Sequence, residues 1–167
     1  MTIFDIRLVK EGMVPELDRL NASEAELIYK TPLLVCILIA GADGKIDKKE
    51  IKQAIDFAEK KHRRSLSSVS VLFREISTDF EDKLKSLIQS YPYEATQRNP
   101  LLVEELTSVN QILKRIDPSF AQEYYKTLLS IAESIATSSG GLLGYNTIGS
   151  EEAKYVKLSM IKDPAGR

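Results

Sequence analysis

The chain has 167 residues, enough for one domain to bury a hydrophobic core without disulfide or metal staples. Hydrophobic residues make up 43% and charged residues 28%, and 23 basic against 24 acidic side chains leave a formal net charge of −1, so no field gathers nucleic acid or an anionic membrane surface. A single cysteine, Cys36, excludes an internal disulfide and a multi-cysteine zinc site, and its apolar surroundings make it a small core residue rather than a nucleophile.

Residues 1–20 read as an irregular lead-in packed on the domain, with apolar positions broken near Gly12 and Pro15. Acids occur early in this stretch and it has no apolar core, so it is not a signal peptide, and the expected compartment is the cytoplasm. Asn21 or Ser23 caps a first helix through about Lys30. Thr31-Pro32 then starts a second, with Thr31 as cap and Pro32 at the first helical position. Leu33 to Ala42 carries no charge, which predicts a helix buried on most sides. It reaches only about half of the roughly 20 residues a bilayer span needs, so it is a core helix.

A turn bracketed by Gly41 and Gly44 follows, and Asp47-Lys48-Lys49-Glu50 fits a capping box for the next helix. Ile51, Ala54, Ile55 and Ala58 define that helix's apolar face. The basic run Lys60 to Arg64 sits where the helix stops and complements its dipole; the only histidine, His62, lies inside it. Two helices are expected between Ser65 and Pro92, joined at Ser77 to Asp79, and then a loop from Tyr91 to Asn99. Asn99-Pro100 and Asp117-Pro118 look like two further cap-plus-proline starts. The first opens a stripe of Leu102, Leu106, Val109, Leu113 and Ile116, the second one of Phe120, Tyr124, Leu128, Ile131 and Ile135. A glycine-rich loop over Ser138 to Gly149 leads to a last helix through about Ile161, and 163–167 read as a frayed tail. No stretch alternates with period two, so strands are not expected.

The turn between the two central helices concentrates acid. Asp43-Gly44-Lys45-Ile46-Asp47-Lys48-Lys49-Glu50 matches the second half of an EF-hand loop, but the first two ligand positions fall on Ile39 and Gly41, which excludes a true EF-hand. Asp47 and Glu50 are accounted for by the capping box alone; Asp43 is not. The chemical alternative is an oxygen-rich site for Ca²⁺ or Mg²⁺, in which a divalent cation relieves the mutual repulsion of Asp43, Asp47 and Glu50. The Ser138 to Gly144 loop lacks the Lys-Ser/Thr of a P-loop and a preceding strand.

An apolar helix, then A-D-G-x-I-D-x-x-E, then an amphipathic helix resembles the TerB-like domain of tellurite-resistance proteins. That resemblance covers residues 30–162 and implies two helix-turn-helix units related by pseudo-symmetry. The second copy is expected where Leu129 to Gly140 parallels Leu33 to Gly44, and where Ile148 to Ala153 parallels Ile46 to Ile51. Asp43 is there answered by Ser139 and Asp47 by Gly149, leaving Glu152 as the one acid retained. The family implicates such acids in metal binding, so the expected set is Asp43, Asp47, Glu50 and Glu152.

No catalytic constellation is legible: one His, one buried Cys and no nucleophile elbow. The expectation is an all-α, single-domain bundle of about eight helices, with a lead-in over 1–20, a TerB-like domain over 21–162 and a tail over 163–167. Its expected role is non-enzymatic and cytoplasmic: weak Ca²⁺ or Mg²⁺ binding in a tellurite- or stress-resistance setting, with an unidentified protein partner, no nucleic acid and no membrane span. The alternative is a metal-free protein-interaction module.

Overall fold

Six α-helices and two short 3₁₀ turns make up the regular structure of the described residues, with no strand among them. The computed structural model describes residues 14–42, 46, 48–62, 67–139 and 153–166, apart from the side chains of Glu50, Phe57, Glu59, Lys61, His62, Ser138 and Ser139. The helices are α1 (Ala22–Ala40), α2 (Lys48–His62), α3 (Ser68–Ser77), α4 (Phe80–Gln89), α5 (Ala95–Leu113) and α6 (Pro118–Ser139). The all-α expectation holds at this level; the described helices number six where about eight were expected.

Asn21 starts α1 with a complete capping box. Its Oδ1 accepts from the Glu24 amide at 2.9 Å while its own amide donates to Glu24 Oε1 at 3.1 Å. The helix then runs unbroken to Ala40, so Thr31-Pro32 is not a helix start. Thr31 does not cap; its hydroxyl donates back to the Leu27 carbonyl at 2.6 Å. Pro32 lies in the helix interior, where its missing N–H leaves the Ile28 carbonyl without its intrahelical donor. That carbonyl is met from another helix: Tyr124 Oη, fully buried on α6, donates to it at 2.7 Å. A tertiary hydrogen bond thus replaces the local one, and the proline reads as interior rather than initial.

Every residue from Thr31 to Ala42 is buried, as the uncharged sequence predicts. The physical reason is position. α1 packs most extensively on α6 and α5 and also touches α2, α3 and α4, so no side of its second half meets water. The other helices bury one stripe each. Ile51, Ala54, Ile55 and Ala58 of α2 are buried, as are Val69, Leu72, Phe73 and Ile76 of α3 and Phe80, Leu84 and Leu87 of α4. On α5 the stripe is Leu102, Leu106, Val109 and Leu113, and on α6 it is Phe120, Tyr124, Leu128, Ile131 and Ile135. Phe120 and Tyr124 stack with ring centroids 5.9 Å apart. Against α6 lie α2 and α3, so α1 and α6 form the axis on which the other helices are laid.

The corners follow side-chain chemistry. Ser67 caps α3, its Oγ accepting from the Ser70 amide at 3.2 Å and donating to Glu123 of α6 at 3.0 Å. The α3–α4 join falls where expected and turns through Asp79, whose φ of 52° is left-handed, a conformation Asp tolerates better than most residues. Asp117-Pro118 opens α6 as predicted, with Pro118 at the first helical position. Asn99-Pro100 does not open α5, which begins at Ala95, inside the expected loop. The carbonyl that Pro100 orphans belongs to Thr96, an exposed residue that water can reach.

At the C-terminal end, residues 154–160 run in turns, so no helix continues through Ile161. Leu158 sits at φ 48° with its side chain in the core, and Pro164–Gly166 forms a 3₁₀ turn against α6. The expected frayed tail is folded through residue 166. Asn110 of α5 holds it on two sides, Nδ2 donating to the Met160 carbonyl at 2.8 Å and Oδ1 accepting from the Lys162 amide at 2.7 Å. Of the N-terminal lead-in, Val14 and Leu17 are buried against the core.

Candidate functional site

The hairpin that carries the acidic turn is in place: α1 ends at Ala40, Ile46 is half-buried against the core, and α2 begins at Lys48. Asp43, Asp47 and Glu152 lie outside the described residues. Of Glu50, the backbone belongs to the first turn of α2 and the side chain lies outside the description. The glycine-rich loop after Ser139 and residues 63–64 of the basic run are likewise outside it. Among the described residues no three His, Cys, Asp or Glu side chains converge as metal ligands.

What the structure does describe is how the head of this turn is held. The Gly41 amide donates to the Ile37 carbonyl at 2.9 Å and the Ala42 amide to that of Ile39 at 3.4 Å, closing α1. Arg98, in the first turns of α5, reaches across and donates from Nη2 to the Gly41 carbonyl at 2.6 Å. Its Nη1 donates to the Tyr93 carbonyl at 2.8 Å. The guanidinium is therefore a clamp between two backbone segments, one ending α1 and the other preceding α5. A cation at a helix C-terminus also meets the negative end of the helix dipole.

Gly41 is needed for this approach. A Cβ there would lie 2.6 Å from Arg98 Nη2 and 2.9 Å from Ile46 Cγ1, closer than real contacts allow. Arg98 is only 2% exposed, and burial lowers its pKa from the ordinary value, with Glu94 and Tyr93 opposing that shift. Arg98 Nε and the neighbouring Asn99 Oδ1 are buried without a hydrogen-bond partner among the described residues. Residue order carries no signal for such a clamp. Arg98 stands in a polar stretch that reads as loop, and its partners are backbone carbonyls of residues 5 and 57 positions away.

The remaining candidates resolve into structure. Cys36 is fully buried in α1, and burial pushes its thiol well above the usual range, so it stays protonated. Lys30 of α1 pairs with Glu105 of α5 at 3.2 Å, and Glu105 also accepts from Tyr91 Oη, a network that ties α1, α5 and the loop before it. A cavity of about 430 Å³ lies between α5 and the C-terminal turn, lined by Asn110, Leu113, Lys114, Lys162, Asp163 and Pro164. The charged groups in its lining are Lys114, Lys162 and Asp163. None of the described helices is long and apolar enough to cross a membrane. No family model, no curated protein and no solved structure was found to match this chain.

Proposed function

We propose that this chain is a non-enzymatic helical domain of TerB-like type, acting in a cytoplasmic tellurite- or stress-resistance setting, whose acidic turn takes up a divalent cation. The ligands in this reading are Asp43, Asp47 and Glu50, joined by Glu152 from the pseudo-symmetric second unit. The observation that carries it is the packing of α1 on α6, the most extensive between any two of the described helices. These two helices hold most of the stretches that the repeat pairs, Leu33 to Gly44 and Leu129 to Gly140, and pseudo-symmetric hairpins bury their equivalent helices against each other because neither can cover its apolar surface alone.

Affinity should be low. The turn lacks the first two ligand positions of a calcium loop, which fall on Ile39 and Gly41. The expected dissociation constant for Ca²⁺ or Mg²⁺ is on the order of 10⁻⁴–10⁻³ M, the range of low-affinity calcium modules. A ligand held only by the folded state raises Tm by mass action, so millimolar cation should raise it. Asp43→Asn should abolish that rise while leaving cation-free stability unchanged or slightly higher, because Asp43 has no part in the capping box. Superimposable wild-type melting curves with and without cation would leave the turn as a helix cap and favour the second reading. That reading, a metal-free interaction module, is supported by Tyr93, which is 84% exposed beside the Arg98 clamp.

A further inference from the structure

We infer that Tyr93 and the outward stripe of α5 form a docking face for a lysine- or arginine-rich segment of a partner protein that carries an apolar anchor. This goes beyond the cation reading and does not rest on it. Tyr93 and Leu101 are the exposed large hydrophobic side chains among the described residues, the tyrosine at 84% and the leucine at 43%. Tyr93 contributes almost nothing to the core, yet its backbone is fixed from below. Arg98 Nη1 donates to its carbonyl, and the Tyr91 ring two residues earlier is tied through its hydroxyl to Glu105. The fold therefore commits a buried guanidinium, with one nitrogen unpartnered among the described residues, to holding a loop whose most prominent side chain is exposed to solvent. With the backbone already held, binding has only the ring's own two rotatable bonds to order, a low entropy cost for so large a contact area.

The charge around it selects the partner. Gln97, Leu101, Glu104 and Ser108 follow each other at three- and four-residue steps, so they share one face of α5; Glu94, the residue that precedes the helix, stands one further step before Gln97, and all five are exposed. Glu94 and Glu104 are the only charged residues on that stripe; the one cation within its span, Arg98, is buried and bonded to backbone carbonyls, and it feels the charge of Glu94 but leaves Glu104 uncompensated within the stripe. A second copy of this chain docking through the same face would set Glu94 and Glu104 against their own counterparts, since a two-fold interface is self-complementary. Like-charge juxtaposition disfavours that arrangement, whereas a basic segment is attracted to it.

The chain has no tryptophan, so Tyr93→Trp gives a single reporter that keeps an aromatic at the anchor position. The probe is a short amphipathic peptide of lysine and leucine, titrated against the full chain, with a glutamate-leucine peptide of equal length as control. The expected result is a saturable emission shift with the lysine peptide alone. Affinity should fall by about tenfold or more in Glu94→Gln/Glu104→Gln and stay within about twofold in Glu81→Gln/Asp82→Gln on α4, with circular dichroism confirming that each variant is folded. No shift, a shift with both peptides, or equal loss in the α4 variant overturns the proposal. An emission that changes with protein concentration in the absence of peptide overturns it in favour of self-association.

Discussion

Tyr29 is buried on α1 with its hydroxyl unpartnered among the described residues, and its environment resists ionisation. Burial, then the nearby Glu75 and Asp18 carboxylates, push its pKa from about 10 up to about 12. The protonated phenol is favoured in the folded state, so its contribution to stability is complete below pH 10 and is lost as pH rises from 10 toward 12. Tyr29→Phe removes an unsatisfied hydroxyl and should be close to neutral at pH 7. Above pH 10 the variant should lose stability less steeply than wild type in denaturant titrations; parallel decline would remove Tyr29 from the alkaline transition. Tyr124 and Tyr91 are raised by burial as well, so tyrosinate absorbance should show several of the seven tyrosines titrating only as the protein unfolds. By the same logic, Cys36 should react with a thiol reagent only on unfolding.

Between elements, the contact that decides the fold is the one from Tyr124 of α6 to the Ile28 carbonyl of α1. A proline inside a helix costs about 3 kcal/mol or more when nothing compensates the lost hydrogen bond. Tyr124→Phe leaves that carbonyl unsatisfied in a dry site and should cost about 1–3 kcal/mol in chemical denaturation. Pro32→Ala restores an N–H that can bond Ile28 directly, so Tyr124→Phe should cost less in that background. A double-mutant cycle should read a coupling of about 1 kcal/mol or more, and additive costs would mean the tyrosine does not stand in for the missing donor. The same chemistry explains why α1 could not be delimited from sequence. Thr-Pro is a good helix start locally, and only a residue 96 positions away from Ile28 makes it a helix interior.

For the molecule as a whole, closure depends on the C-terminal segment folding back on α5 and α6. Asn110 supplies both a donor and an acceptor to that segment, to Met160 and Lys162. Asn110→Ala should cost about 1–3 kcal/mol, because two backbone groups lose their partner. It should also speed amide exchange over residues 158–166 before global unfolding, as expected when the last-added piece of a fold is released. Unchanged exchange there would mean the segment is held by Leu158, Ile161 and Pro164 in the core rather than by the asparagine.

Pattern alone determined the helical class, the buried stripes of α2, α5 and α6 and the uncharged core run of α1, since periodicity and the absence of charge report directly on which faces can leave water. Capping chemistry narrowed the first start to Asn21 or Ser23, of which Asn21 is the cap, and located another at Asp117-Pro118, where side chain and backbone meet within one turn. Three things depended on tertiary structure: the fate of Pro32, the start of α5 and the packing of the tail. The first and the last turn on a hydrogen bond or a burial supplied by a distant residue, which local propensity cannot register, while Pro100 is tolerated inside α5 because water reaches the Thr96 carbonyl. The candidate site divides in the same way. Three acids within eight residues, Asp43, Asp47 and Glu50, are legible in the sequence as an acidic turn before a helix start. The buried Arg98 beside the turn's head, and the exposed Tyr93 that it supports, exist only because the fold brings α5 across the end of α1.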